Sequence, residues 1–355
     1  MLPVGQAAKF ETQSGGVMDI SLRPAFRGSQ GAVTMVEEKL GEGGINIVYK
    51  AEVFASNSSP PRPVALKLVK PDVSEATTKI VEKGYAYSRD LPASVAVQTY
   101  DVGRLSDATG KPQLYVTMEL VEPLDLDAFL KTKFPKGFGD ALLDPATKAE
   151  AWQTLDELQR QSQNILDALS AEGLAHGDVK PANILVDVRA DGSFHIRLND
   201  MDSLGPIGMP HEIATSSYLG PQDFTTRMSA QSTARSSSTD QFAFQSTINE
   251  LVFGVPVYED GIFVSGTPTK TQLVESVRKA QEDWKLLLAQ APPGYAKRLE
   301  WVGDLGGHVP PSAGGAAAAS GSLPSAPRDR SFMPPMGSES CSILKQISRG
   351  ATFSP

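Results

Sequence analysis

The chain has a single cysteine, Cys341. No disulfide can therefore form within it, and a reducing compartment is its natural setting. Cys341 sits in a Pro-, Gly- and Ser-rich stretch and reads as an ordinary thiol. No apolar run approaches the roughly 18 residues that a membrane span requires. The opening 20 residues lack the charged-then-apolar pattern of a cleaved secretory signal. Positive charge is in deficit: 33 Lys and Arg stand against 41 Asp and Glu, a net charge of −8. That balance argues against nucleic acid as a partner. What is present is 355 residues with ordinary hydrophobic content, 40%, enough for a real core in one large domain or two small ones.

Three stretches carry chemistry. The first is Gly173-Leu174-Ala175-His176-Gly177-Asp178-Val179-Lys180-Pro181-Ala182-Asn183-Ile184-Leu185-Val186. A polar core of Asp, Lys and Asn is flanked by small or apolar residues and leaves on an apolar strand. Phosphoryl transfer needs such a set: Asp178 to accept the proton of an attacking hydroxyl, Lys180 to meet the phosphate, Asn183 to hold a metal ion. The second is Gly41-Glu42-Gly43-Gly44-Ile45-Asn46-Ile47-Val48, a Gly-rich turn between two strands. Glycines let backbone N–H groups approach phosphates, although a tight hairpin explains the turn equally well. A dinucleotide-binding turn is excluded, because this turn opens a strand and not a helix. The third is Pro63-Val64-Ala65-Leu66-Lys67-Leu68-Val69, an alternating apolar strand with a lysine inside it.

Together, over residues 35–254, these stretches resemble the eukaryotic-type (Hanks-type) Ser/Thr protein kinases. Asp178, Lys180 and Asn183 match the catalytic loop His-Arg-Asp-x-Lys-x-x-Asn; Gly41, Gly43 and Val48 match the Gly-rich loop; Lys67 matches the lysine of Val-Ala-Ile-Lys. Asn199-Asp200-Met201-Asp202 stands where the family has Asp-Phe-Gly, and Thr215-Ser216-Ser217-Tyr218-Leu219-Gly220-Pro221-Gln222 where it has Thr-x-x-Tyr-x-Ala-Pro-Glu. The resemblance implies an α+β, bilobal fold, with a small antiparallel β lobe and a mainly helical large lobe abbreviated beyond Gly254. Its expected divisions are a flexible extension over 1–32, a small lobe over 33–121, a large lobe over 122–305 and a disordered tail over 306–355.

The resemblance also implies the site. ATP would lie between the lobes with Mg²⁺, or Mn²⁺, held by Asn183 and Asp200. Lys67 would reach the phosphates, paired with a helical glutamate, Glu82 or alternatively Glu75. Val48, Ala65 and Leu185 would sandwich adenine. Met118 would be the gatekeeper, the backbones of Glu119 and Val121 would hold the base, and Asp125 would reach the ribose. Asp178, with Lys180 and Lys67, would perform transfer to a Ser or Thr of a protein substrate, and Asp240 would support the catalytic loop. His176 is expected to be structural.

Four departures qualify this picture. Asn46 replaces the third glycine, Asp202 replaces the Gly of Asp-Phe-Gly, Gln222 replaces a glutamate, and Gly177 replaces the arginine that would meet an activation-loop phosphate. The last implies that phosphorylation of that loop is not the switch. Asp202 is a further candidate metal ligand. His-Gly-Asp and Asp-Met-Asp also resemble the aminoglycoside and choline kinases, which act on small molecules. A nucleotide-binding pseudokinase scaffold is the third reading. Composition suits a bacterial protein that works in cytoplasm, whether its own or that of a host reached without a cleaved signal.

Overall fold

The computed structural model describes residues 9–11, 17–19, 25–28, 32–54, 60–106, 112–121, 124–229, 233–258, 262–263 and 267–305. The expected tail over 306–355 and most of the expected extension over 1–32 lie outside them.

Strands β1 (Lys9–Glu11) and β2 (Val17–Asp19) pair as a separate antiparallel ribbon. The strands β3 (Ala25–Arg27), β4 (Val33–Glu42), β5 (Asn46–Phe54), β6 (Arg62–Val69), β7 (Thr99–Ser106) and β8 (Pro112–Glu119) form one sheet in the order β3-β4-β5-β6-β8-β7. Every neighbouring pair in it is antiparallel. The sheet thus takes in residues 25–27, upstream of the expected start of the lobe. Alternation along β6 decides what each face does. Val64, Leu66 and Leu68 join Phe26, Val36, Ala51, Leu105 and Tyr115 in an apolar cluster. Ala65 and Lys67 lie on the opposite face and are also buried. A buried amine needs partners, because desolvation of an unpaired charge is costly.

Helix α1 (Glu75–Ser88) covers that face. Ser74 caps it, its Oγ accepting from the Thr77 N–H at 3.1 Å. Val81 and Tyr85 are its fully buried large side chains. Gly84 is a weak helix former, yet packing requires it: a Cβ there would lie 2.1 Å from the carbonyl oxygen of Met201.

The large lobe is helical. Its elements are α2 (Leu126–Lys133), α3 (Phe138–Leu143), α4 (Lys148–Ala171), α5 (Pro221–Met228), α6 (Ser237–Phe253), α7 (Lys270–Leu288), α8 (Tyr295–Arg298) and α9 (Glu300–Asp304). In α4 the buried set Ala151, Trp152, Leu155, Leu158, Ser162, Ile165, Leu166 and Leu169 follows the helical period. Helix α6 is buried around most of its circumference, from Asp240 through Phe242, Phe244 and Ile248 to Val252, so it forms the centre of the lobe. Helix α3 stands where the sequence reads as a polar connection. Its Gly139 explains this, since an added Cβ would lie 2.1 Å from the Val252 carbonyl oxygen on α6. The expected last helix over 295–305 is broken at Leu299 into α8 and α9.

Short strands position the loops between the lobes. Strand β9 (Leu174–Ala175) pairs with β12 (Gly205–Pro206), and β10 (Ile184–Val188) pairs with β11 (Phe194–Leu198). The stretch 95–103 is divided between the two lobes. Thr99 onward joins the small-lobe sheet, whereas residues 95–97 bond to the large lobe: the Val97 N–H donates to the Leu198 carbonyl, and the Leu198 N–H to the Val95 carbonyl, both at 2.9 Å.

Candidate active site

The loop between β9 and β10 is organised from below by α6. Asp240 Oδ2 accepts from the His176 N–H at 2.5 Å and Oδ1 from the Gly177 N–H at 2.8 Å. Burial raises the Asp240 pKa despite these bonds. Ser203 Oγ donates to the His176 carbonyl at 2.7 Å. The His176 ring is completed by its neighbours: Nδ1 accepts from the Asp178 N–H at 3.3 Å, and Nε2 lies 3.0 Å from the Asn199 carbonyl, so Nε2 carries the proton. His176 is fully buried.

This scaffold presents Asp178. Its Oδ2 accepts from Lys180 Nζ at 2.8 Å and from Asn183 Nδ2 at 3.1 Å; its Oδ1 accepts from the Thr215 N–H at 2.7 Å. Burial alone would raise its pKa, but Lys180 and the bond from Thr215 outweigh it and hold the carboxylate below its ordinary range. Lys180 Nζ also bonds Thr215 Oγ1 at 2.9 Å. Asp178, Lys180, Asn183 and Thr215 therefore form one connected cluster.

A second cluster surrounds Lys67. Its Nζ bonds Asp200 Oδ1 at 2.6 Å, Asp202 Oδ1 at 3.0 Å and Tyr85 OH at 2.7 Å. All three ammonium N–H groups are thereby used. Burial would lower the lysine pKa, but the charges of Asp200 and Asp202 hold it well above its ordinary value. Asp200 sits in the left-handed region at φ 61, at the end of β11, which aims its carboxylate at Lys67. Asp202 Oδ2 accepts from Asn46 Nδ2 at 2.5 Å, so the Gly-rich turn is tied to the Asp-Met-Asp segment. Burial and the neighbouring Asp200 push the Asp202 pKa up to about 7. For Asp200, the Lys67 charge overcomes burial and lowers the pKa.

The residues expected around the base are placed by strand pairing. Val48 pairs with Lys67 across β5 and β6, and Ala65 with Met118 across β6 and β8. Leu185 is held against Asp125 by a backbone bridge. Glu119 is engaged by Arg197, whose two terminal nitrogens lie 2.7 and 3.0 Å from its oxygens. Gly41 and Gly43 flank the β4–β5 turn, which the Gly43 N–H closes on the Asn46 carbonyl at 2.8 Å.

Residues 34–290 match the model of the protein kinase domain. The chain belongs to that family. Among curated relatives it is 30% identical over 247 residues to the serine/threonine-protein kinase PknE of Mycobacterium bovis, covering 67% of this chain and 38% of that protein. It is 28% identical to PknD of Mycobacterium tuberculosis, with 65% and 31% covered, and 24% identical to PkaA of Streptomyces coelicolor, with 65% and 40% covered. The chain thus spans less than half the length of these relatives.

Against the kinase-domain pattern the geometry makes one correction. Glu82 does not pair with Lys67: its Oε2 accepts from Arg104 at 2.7 Å. Glu75, the alternative, also goes to Arg104, at 3.0 Å. Glu82 stands about one turn before the buried Tyr85, and Glu75 opens the helix. Asp125, the residue expected at the ribose, caps α2, its Oδ1 accepting from the Ala128 N–H at 2.8 Å.

The kinase-domain family implies a divalent cation as well as nucleotide. Asp200 is one-third exposed, whereas Asp202 is 9% exposed, so Asp200 is the carboxylate open to the cleft. Asn183 directs its amide nitrogen to Asp178, both to the carbonyl at 2.8 Å and to the side chain. One carboxylate and one amide oxygen are hard donors, fitting an ion that takes its remaining ligands from phosphate and water.

Sequence reasoning missed several residues of this site. Tyr85 was passed over because the search on α1 was for a carboxylate. His211 was not considered. Its Nε2 donates to the Gly177 carbonyl at 2.7 Å, and burial lowers its pKa to about 4. It lies against Gly177, where an added Cβ would be 2.7 Å from its Nε2 and where φ is +83. Arg227 and Arg235 hold the same segment by its carbonyls: Arg227 bonds His211 and Glu212, and Arg235 bonds Ser203 and Pro210. At the end of the segment Gln222 keeps a hydrogen bond, from Lys270 at 2.7 Å.

Proposed function

We propose that this chain is an ATP-dependent protein kinase that phosphorylates Ser or Thr hydroxyls of a protein substrate. The observation that carries the reading is the Asp178–Lys180–Thr215 cluster. It ties a carboxylate to a lysine and to the segment that would receive a substrate chain. A carboxylate held ionised can take the proton of an attacking hydroxyl. That oxygen forms a bond to the γ-phosphorus, the bond to the β–γ bridging oxygen breaks, and ADP leaves; the proton rests on Asp178. Lys180 lies beside Asp178, where it meets the charge of the transferred group. Lys67 contacts the phosphates of the nucleotide. Val48, Ala65, Leu185 and Met118 enclose the base, with the backbones of Glu119 and Val121 along its edge. Asn183 and Asp200 hold the divalent ion, for which Mg²⁺ is the choice over Mn²⁺; it supplies charge neutralisation on the phosphates. No helix among the described residues is long and apolar enough to cross a membrane. A reducing, ATP-containing cytoplasm is the setting this activity needs.

The test is transfer of labelled phosphate from Mg·ATP, for wild type and Asp178→Ala, with generic protein substrates. Label on protein Ser or Thr that is lost in the variant is the expected result. Label on added small-molecule alcohols instead would replace the protein-kinase reading with a small-molecule one. Nucleotide binding without any transfer would replace it with a scaffold.

A further inference from the structure

Lys67 lacks the glutamate partner expected on α1, yet its ammonium is fully bonded. We propose that Tyr85 and Asp202 together take that glutamate's place as the positioning residues of Lys67, so that Asp202 is a gain and not a defect in the Asp-Met-Asp segment. The inference rests on the nucleotide-binding reading of the cleft.

Four observations carry it. Glu82 and Glu75 are both occupied by Arg104, on the outer side of α1. Tyr85 is a fully buried α1 side chain, and its hydroxyl lies 2.7 Å from Nζ. Asp202 is nearly as buried as Lys67 and holds Nζ from the other side at 3.0 Å. Asn46 fixes the second oxygen of Asp202, so that carboxylate is itself held in place. The third partner, Asp200, is the exposed one and is suited to turn to a metal ion. When it does, Lys67 keeps Tyr85 and Asp202 and has one N–H free, which is what a phosphate oxygen requires. Here the lysine is held by α1 and by the segment that carries Asp200.

The experiment compares Asp202→Gly, Tyr85→Phe and Glu82→Gln with wild type. Two readouts are taken: kcat against KM for ATP, and the ratio of Mg·ATP to adenosine affinity by calorimetry. Adenosine binding reports an intact cleft, so a variant that has merely unfolded loses both affinities. Asp202→Gly restores the residue usual in the family, yet it is expected to lower kcat and the affinity ratio about tenfold, with KM moving less than kcat; Tyr85→Phe should do the same more weakly. Asp202→Asn, which keeps an oxygen for Nζ, should recover part of the loss. Glu82→Gln should change neither readout by more than about twofold. A fall in both readouts for Glu82→Gln, or wild-type values for Asp202→Gly, would overturn the proposal. A wild type that binds Mg·ATP without transferring phosphate would sink the kinase reading alone, because the affinity ratio still tests the positioning of Lys67.

Discussion

The two lysines of the cleft make a natural comparison. Lys180 pairs with a carboxylate two residues away, on one loop, and is 27% exposed. Lys67 pairs with carboxylates 133 and 135 residues away, on another lobe, and is 8% exposed. The local pair is cheap to assemble, since the chain itself brings the groups together. The distant pair forms only when β6, α1 and the 201–203 turn are all in place, and it then stands in a low dielectric where each group depends on the others. The cleft thus combines a lysine–carboxylate pair that is local in sequence, on a loop braced by Asp240 and Thr215, with a charge cluster drawn from distant elements.

Removing each lysine breaks the comparison most sharply. Lys67→Met leaves the buried Asp202 and the part-exposed Asp200 without their cation and should lower unfolding free energy by about 3 kcal/mol. Lys180→Met should lower it by about 1 kcal/mol or less, because the pair is partly solvated. Both should abolish phosphotransfer. Chemical denaturation with activity measured alongside separates the two effects; equal stability losses would show that the distant cluster has no special burden.

Acid should reach the local loop through His211. Its folded-state pKa, about 4, lies below the ordinary imidazole value of about 6.5, so the unfolded chain binds more protons between these values. Stability is therefore full above about pH 6.5 and falls as pH drops toward 4, by about 3 kcal/mol from this group. His211→Gln should flatten that part of the profile, as followed by thermal melting from pH 7 to pH 4.5. An unchanged slope would remove His211 as the cause.

Gly84→Ala tests the support of the distant cluster. The added methyl must push α1 away from the Met201 carbonyl, a cost of about 1–3 kcal/mol. The same variant should weaken Mg·ATP binding more than adenosine binding, because Tyr85 moves with the helix. The smallest effects belong to the segment after His211. Thr215→Ala loses one bond to Lys180 and should cut kcat several-fold, whereas Ser216→Ala and Ser217→Ala should leave it within about twofold. Loss of activity in the serine variants would mean that phosphorylation there matters after all. The arginine–carbonyl bonds of Arg227 and Arg235 are the reason to expect otherwise.

What was legible from the residues follows the same division. The catalytic loop could be read because its groups are close in sequence and their spacing has chemical meaning. The buried set of helix α4 keeps one period over 24 residues, a pattern that the residues themselves carry. Tyr85, His211 and the Arg104 pairing with Glu82 could not, since their partners come from distant elements and no local pattern marks them. Glycines misled in a consistent way. Gly84 and Gly139 argue against helix by propensity, and both lie in helices where another backbone passes too close for a side chain. Tertiary approach, which no propensity contains, decides at those positions.

The backbone bonds between Val97 and Leu198, and between Leu198 and Val95, have a mechanical meaning. The lobes are joined covalently after Glu119 and again here, by two hydrogen bonds of a parallel bridge. Two attachment points define a line, as two pins define the swing of a door. Rotation about that line leaves both attachments intact, but it must part the bonds of Lys67 and Asn46 to Asp202, which also join the lobes. The bridge is a pivot, and the Asp202 bonds are a latch.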